Sequence, residues 1–305
     1  MPGIQYGTPQ VFDGDLGYDA WALFGDGSDT AVNLTSGTTT LARDMFYTTL
    51  SVSGTAILVT AGYRIFASVS VTVQSGGRIS WNGNAGGGAG TGGALLTAAV
   101  LGGAPAGGQS ASNNNGQAGG SQTNSFGGSG GAGGGCPANG TTGGAGGTGG
   151  RAANGLYTAN APAATAGWPR TLPQVVLGHT IGNGGVIRFA GGAGGGSGGG
   201  DITGGGACGG SGGGVVVVCA PLIDVQVGGI LSANGGAGGT RGIALNEGGG
   251  GGGGGGVLLL TGYRIIQAGT VTANGGAHGH GEGTGLEGAD GAAGTVFVLP
   301  LAKAA

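Results

Sequence analysis

Residues 248–256 are nine consecutive glycines, and few kinds of folded structure can accommodate such a run. Glycine loses more backbone entropy on ordering than any other residue, so an isolated run behaves as a flexible linker. This run is not isolated. The chain carries 88 glycines in 305 residues, and only 9 of them fall within residues 1–75. Collagen is excluded, because it needs glycine at every third residue and abundant proline, and the chain has 9 prolines. Disorder also fits poorly. Disordered chains usually combine low hydropathy with high net charge, whereas here the formal net charge is −3 and the mean hydropathy is positive.

The glycine alternates with apolar runs in a repeating unit. One copy reads Gly212–Gly214, Val215–Val218, Leu222–Val225, then Gly229-Ile-Leu-Ser-Ala-Asn-Gly-Gly236. Forty residues on it recurs as Gly248–Gly256, Val257–Leu260, Gly262-Tyr-Arg-Ile-Ile266, then Gly269-Thr-Val-Thr-Ala-Asn-Gly-Gly276. Gly62-Tyr63-Arg64-Ile65 anticipates the second of these, and Gly77–Gly83 and Gly185–Gly192 are shorter matches. The Ala-Asn-Gly-Gly pairs read as turns closing short strands. Elsewhere glycine falls as Gly-Gly-X triplets, as in Gly127–Gly135 and Gly143–Arg151. A period of three suits a polyproline-II-type extended helix, which has no internal hydrogen bonds. Its amides and carbonyls point outward, and glycine lets neighbouring chains come close enough to pair them. Ordered packing of at least part of the glycine is therefore expected.

From Leu34 to Val73 the pattern changes to short runs rich in β-branched residues, at roughly ten-residue spacing. No stretch shows a sustained helical apolar period with caps. The expected fold is all-β, a short-stranded β-solenoid or sandwich with packed polyglycine-II-type segments and almost no helix.

Sites for chemistry are sparse. No phosphate-loop motif occurs, and the single lysine is Lys303. With eight scattered arginines, phosphate neutralisation on a nucleic acid has little to work with. No apolar run approaches a membrane span, and the first ten residues show no secretory signal, so synthesis in a cytoplasm is expected. Cys136, Cys208 and Cys219 form no CxxC pair, leaving a Cys208–Cys219 bridge open. Asp224 and Arg264 occupy similar places in successive repeats and are expected to make an ion pair between rungs rather than a catalytic pair. Asp13, Asp15, Asp19, Asp26 and Asp29 read as a solvated acidic turn region, without calcium-loop spacing. His278, His280 and Glu282 alternate and would share one face of a strand, a weak candidate metal site against the simpler reading of an exposed turn. No catalytic residue and no cofactor is assigned. Residues 100–175 read as a long loop insertion, the kind of segment in which binding function concentrates. Its Phe126, Tyr157, Trp168 and Arg170 are the candidate receptor contacts, since aromatic side chains bring large contact area at low entropic cost. The competing reading has Tyr157 and Trp168 covering the glycine layer against solvent.

Thr38-Thr-Thr-Leu-Ala-Arg-Asp-Met-Phe-Tyr47, Leu50-Ser-Val, Gly62-Tyr-Arg-Ile-Phe66 and Ile79-Ser-Trp-Asn-Gly-Asn-Ala-Gly-Gly87 together resemble glycine-rich minor tail and tail-fibre proteins of tailed bacteriophages. The likeness covers about residues 30–90 well and the repeats at 215–300 in outline. It implies a virion structural protein, a tail fibre or tail-tip adhesin, whose polyglycine helices pack into a sandwich with receptor-specific loops. It transfers no catalytic residue. With the shift in glycine content and the strand pattern, the expected organisation is an N-terminal attachment segment (1–33), a β-strand domain (34–84) and a glycine-rich repeat body (85–305) carrying the loop insertion. The implied partners are other tail proteins and a host surface receptor or glycan. A homo-oligomer, most simply a trimer, would protect open strand edges. Alternatives are a non-adhesive decoration protein and a depolymerase of host glycan.

Overall fold

The computed structural model describes residues 3–6, 10–11, 23–88, 90–110, 115–123, 126–136, 145–153, 179–182, 185–200, 205–241 and 246–302. Within them the fold is all-β, and only Leu23 and Phe24 are helical. The head supplies β1 (Gly3–Tyr6), β2 (Gln10–Val11), β3 (Val32–Leu34), β4 (Thr38–Thr40), β5 (Met45–Val52), β6 (Ile57–Val59), β7 (Ile65–Val73) and β8 (Arg78–Ser80). The middle supplies only short pairs, β9 (Gln122–Thr123) with β10 (Ala152–Ala153) and β11 (His179–Gly182) with β12 (Gly185–Arg188). The two repeats supply β13 (Val215–Cys219), β14 (Leu222–Val225) and β15 (Ile230–Ser232), then β16 (Val257–Gly262), β17 (Arg264–Gln267) and β18 (Thr270–Thr272). The last strand is β19 (Thr295–Ala302).

Two parallel sheets result. The larger runs β1-β19-β16-β13-β7-β14-β17, with β5 and β3 continuing from β7; the smaller runs β18-β15-β8-β6-β4. The repeats therefore stack in register: Val215 lies beside Val257, Leu222 beside Arg264 and Ile230 beside Thr270. Strands of the head share both sheets with strands of the repeats, through β7 with β13 and β14 and through β8 with β15. Ile65–Val73 forms one strand, β7, longer than the short runs expected here, and pairs with β5 through a register shift between Tyr47 and Thr49.

Parallel strands buried on both faces read as continuous apolar runs, which accounts for Val215–Val218 and Leu258–Leu260. Val216, Val218, Leu258 and Leu260 turn into one apolar cluster, with Leu50, Ile65, Val71, Ile79 and Ile223. Val215, Val217, Val257 and Leu259 turn into another, with Phe24, Leu101, Phe189 and Phe297. Cys219 belongs to this second cluster, where burial pushes its thiol pKa upward. All three cysteines are free, so the Cys208–Cys219 bridge is not formed.

The glycine segments continue directly from the strands. Gly214 donates to the Trp81 carbonyl, Val257 to Gly214 and Thr295 to Gly256, so pleated strand passes into three-residue-period backbone without a break. Ala-Asn-Gly-Gly is thus not a turn. Its asparagines form a ladder at the passage: Asn82 Oδ1 accepts from the Asn234 amide at 2.8 Å, and Asn234 Oδ1 from the Asn274 amide at 2.8 Å.

Segment 191–199 shows how the glycine packs. Gly192, Gly195 and Gly198 donate to Gly213, Gly210 and Ala207. Ala193, Gly196 and Gly199 donate to Gly128, Gly131 and Gly134, while Gly191, Gly194 and Ser197 donate to Gly103, Gly120 and Gln117. Every third amide thus points to the same side. Carbonyls of this segment accept in turn from Gly248, Gly251 and Gly254, from Gly147 and Gly150, and from Gly108. The backbone is bonded all round, mostly to other glycine backbone. In 248–256 a Cβ at any position would lie within 2.1 Å of a neighbouring carbonyl oxygen, which explains the unbroken glycine. The buried Ser197 completes the network with its hydroxyl: Ser197 Oγ accepts from the Gln117 amide at 2.7 Å and donates to the Gln109 carbonyl at 2.7 Å. Much of the stretch expected as a projecting loop, residues 100–175, lies in this lattice, namely 103–108, 115–121, 126–135 and 145–151.

The acidic head is partly structural. Asp29 accepts from the Phe46 amide at 2.7 Å and from Arg43. Asp13, Asp15 and Asp19 lie outside the described residues. Asp224 sits opposite Ile266 and bonds Gln226, whereas Arg264 lies beside Leu222. The expected ion pair between rungs is therefore offset by two residues and does not form.

Two outcomes follow from this packing. Gly252→Ala places a Cβ 1.9 Å from the Gly276 carbonyl oxygen, and such overpacking should destabilise by about 1–3 kcal/mol or more. The exposed Ala132→Ser should be close to neutral, and urea denaturation of both variants checks the contrast. For Asp29, hydrogen bonding to Arg43 holds the carboxyl below its ordinary value of 3.8. Its contribution is complete above that value and drains away as pH falls through the lower folded value. The melting-temperature gap between wild type and Asp29→Asn should accordingly be widest near pH 6 and shrink toward pH 3.

Candidate functional site

The strands gather at one end of the lattice, and its connections are divided between the two ends. Levels along the lattice follow from the hydrogen bonds: Gly134 meets Gly199 and Gly249, Gly198 meets Ala207, Gly239 meets Gly250 and Gly279 meets Gly288. The links across 109–116, 135–146, 199–206, 240–248 and 280–287 consequently all attach at the end opposite the sheets. Phe126, β9, β10 and β12 lie toward the sheet end, where Phe126 accepts from Thr295 through its carbonyl.

Phe126 is half-buried, with its ring edge-on to Phe189 at 5.0 Å and to Phe297 at 5.5 Å. It packs against the second apolar cluster. Tyr157, Trp168 and Arg170 lie outside the described residues; the stretch holding them leaves from β10 and returns to β11.

Besides the ionisable side chains near the sheets, such as Asp29, Arg43, Asp44 and Arg64, a second group lies near the end opposite the sheets. Glu247 is fully buried there and pairs with Arg241, whose Nε lies 2.9 Å from Oε2. Arg241 also donates to the Gly205 carbonyl, linking the 240–248 connection to the neighbouring segment. Asn246 joins two more connections, accepting from Cys136 Sγ through its carbonyl and from the Thr284 amide through Oδ1 at 3.0 Å. The backbones of Glu247 and Glu282 bond each other in both directions.

Of the alternating trio His278, His280 and Glu282, the two histidines come together and Glu282 does not join them. These residues are in lattice backbone rather than on a strand, and Glu282 is taken up in the bridge to Glu247. Glu287 stands in its place: Oε1 lies 3.2 Å from His280 Nδ1 and Oε2 lies 3.3 Å from His278 Nε2. Asp290 Oδ1 accepts from the His278 amide at 2.8 Å and lies 2.6 Å from its Nδ1. The hydrogen bond to Asp290 raises the His278 pKa, and the bond from the His278 amide lowers that of Asp290. Glu287 and Asp290 are three residues apart, a spacing that brings side chains to one side of a three-residue-period backbone, but the neighbouring segment they face was not legible in the sequence.

Comparison with known proteins finds no matching protein-family model, no matching curated protein and no matching solved structure. Among the described residues no helix is long and apolar enough to cross a membrane.

Removing one partner of a buried ion pair leaves the other charge uncompensated, at a cost of about 3–5 kcal/mol. Arg241→Met should therefore destabilise strongly, while the double variant Arg241→Met, Glu247→Gln should regain much of the loss. Thermal melting of the two variants reads this directly.

Proposed function

We propose that this protein is a virion structural protein, a tail fibre or tail-tip adhesin that recognises a host cell surface. The carrying observation is a backbone-bonded lattice of glycine segments anchored at one end by two parallel sheets. Such a frame holds its connecting segments at set spacings without depending on their sequences, which suits a surface that must vary while the scaffold does not. Attachment belongs to the sheet end, where the N-terminal strand β1 lies along β19. The resemblance of residues 30–90 to glycine-rich tail proteins of bacteriophages supports the same reading.

Partners on this reading are other tail proteins and a host receptor or glycan. The outer rung of β17 and β18 has no further strand beyond it among the described residues. An unpaired parallel edge of this kind supports assembly with further copies or neighbouring virion proteins.

Adsorption assays provide the test. Particles lacking the protein should assemble but fail to adsorb, and exchanging connections 109–116 and 199–206 between related chains should shift the strains bound. Immunogold label should fall at the tail tip. Normal adsorption without the protein would show a decoration role instead, and release of reducing ends from host polysaccharide would show a depolymerase.

A further inference from the structure

We propose that His278, His280 and Glu287 form a binding site for one divalent transition-metal ion, with zinc as the reference case, oriented by Asp290. The proposal is independent of the adhesin reading.

The ligand atoms of the three residues all lie within 4.8 Å of one another. Zinc bonds to nitrogen and oxygen are about 2.1 Å long, and tetrahedral geometry then separates adjacent ligand atoms by about 3.4 Å. Glu287 reaches both imidazoles, through Oε1 at 3.2 Å from His280 Nδ1 and through Oε2 at 3.3 Å from His278 Nε2, so small adjustments of the side chains would bring one carboxylate and two ring nitrogens around a single ion. Two imidazoles and one carboxylate also make a donor set that prefers zinc, nickel or copper over magnesium or calcium.

The second contact of His278 favours the same assignment. Asp290 Oδ1 stands on the Nδ1 side of the ring, so in the neutral imidazole a proton held there would leave the Nε2 lone pair toward Glu287 for a metal ion. A carboxylate behind a ligating histidine is the usual outer support of such sites, setting tautomer and ring direction. The backbone geometry is preset as well. His278 and His280 flank Gly279, which accepts from Gly288 at 3.1 Å, and Gly291 donates to Gly276 at 2.9 Å. The His280 amide is further held by Thr240 Oγ1 at 2.9 Å. Ligands thus come from two adjacent lattice segments with little freedom to separate, and a bound ion would clamp them together. His280 and Glu287 are well exposed, at 70% and 62%, which leaves an entry path and at least one coordination position open to solvent.

Tag-free full-length protein, stripped with chelator and titrated calorimetrically with zinc chloride, tests the site. One ion should bind per chain and raise the melting temperature, as expected for a ligand bound only by the folded state. His280→Ala and Glu287→Gln should each weaken binding tenfold or more, and Asp290→Asn about 10- to 100-fold. Circular dichroism and melting without metal show whether each variant is folded; the exposure of His280 and Glu287 makes loss of fold unexpected. A substituted cobalt ion should give the visible absorption of a four- or five-coordinate nitrogen–oxygen site, lost in His280→Ala. Absence of zinc binding by the folded wild type would overturn the proposal. So would binding that is unchanged in both His280→Ala and Glu287→Gln.

Discussion

Everything in this molecule depends on one close approach, between an amide of one glycine segment and a carbonyl of the next. At the spacing that makes those bonds a Cβ would sit about 2 Å from a carbonyl oxygen at position after position. Side chains are excluded from most of the interior, so the backbone must supply the specificity that side-chain packing supplies elsewhere. It does so by direction: a period of three sends successive amides to three different neighbours. The large entropy cost of ordering glycine is met by bonding its polar groups in place and by anchoring the segments to strands.

Those anchors are conventional. Val215–Val218 and Leu258–Leu260 bury apolar side chains on both faces of a parallel sheet, and the stacking of repeats sets the lateral positions from which the glycine segments depart. Trp81 and the asparagine ladder mark the passages where one kind of order gives way to the other. The sheets fix the starting points and the lattice carries them outward.

Much of this was legible in the residues. Repeats forty residues apart predicted stacked strands, and Gly-Gly-X triplets predicted three-residue-period packing. Three things were not legible, each for a physical reason. Ala-Asn-Gly-Gly has the composition of a turn, and only the neighbouring asparagine amide shows that its side chain bridges segments. Phe126 sits among glycines and serines in sequence, yet meets Phe189 and Phe297 through contacts between distant parts of the chain. His278 and His280 find Glu287 rather than Glu282 because the neighbour is set by the lattice, not by distance along the chain.

A scaffold that buries amides instead of hydrocarbon also has an unusual thermal character. Exposure of apolar surface raises the heat capacity on unfolding and exposure of polar surface lowers it. In the lattice the second contribution is large and the first small, so stability there should change little with temperature, bending far less toward cold than in an oil-filled domain. The glycine body and the valine- and leucine-rich sheets would then respond differently to cooling, although they are parts of one continuous chain.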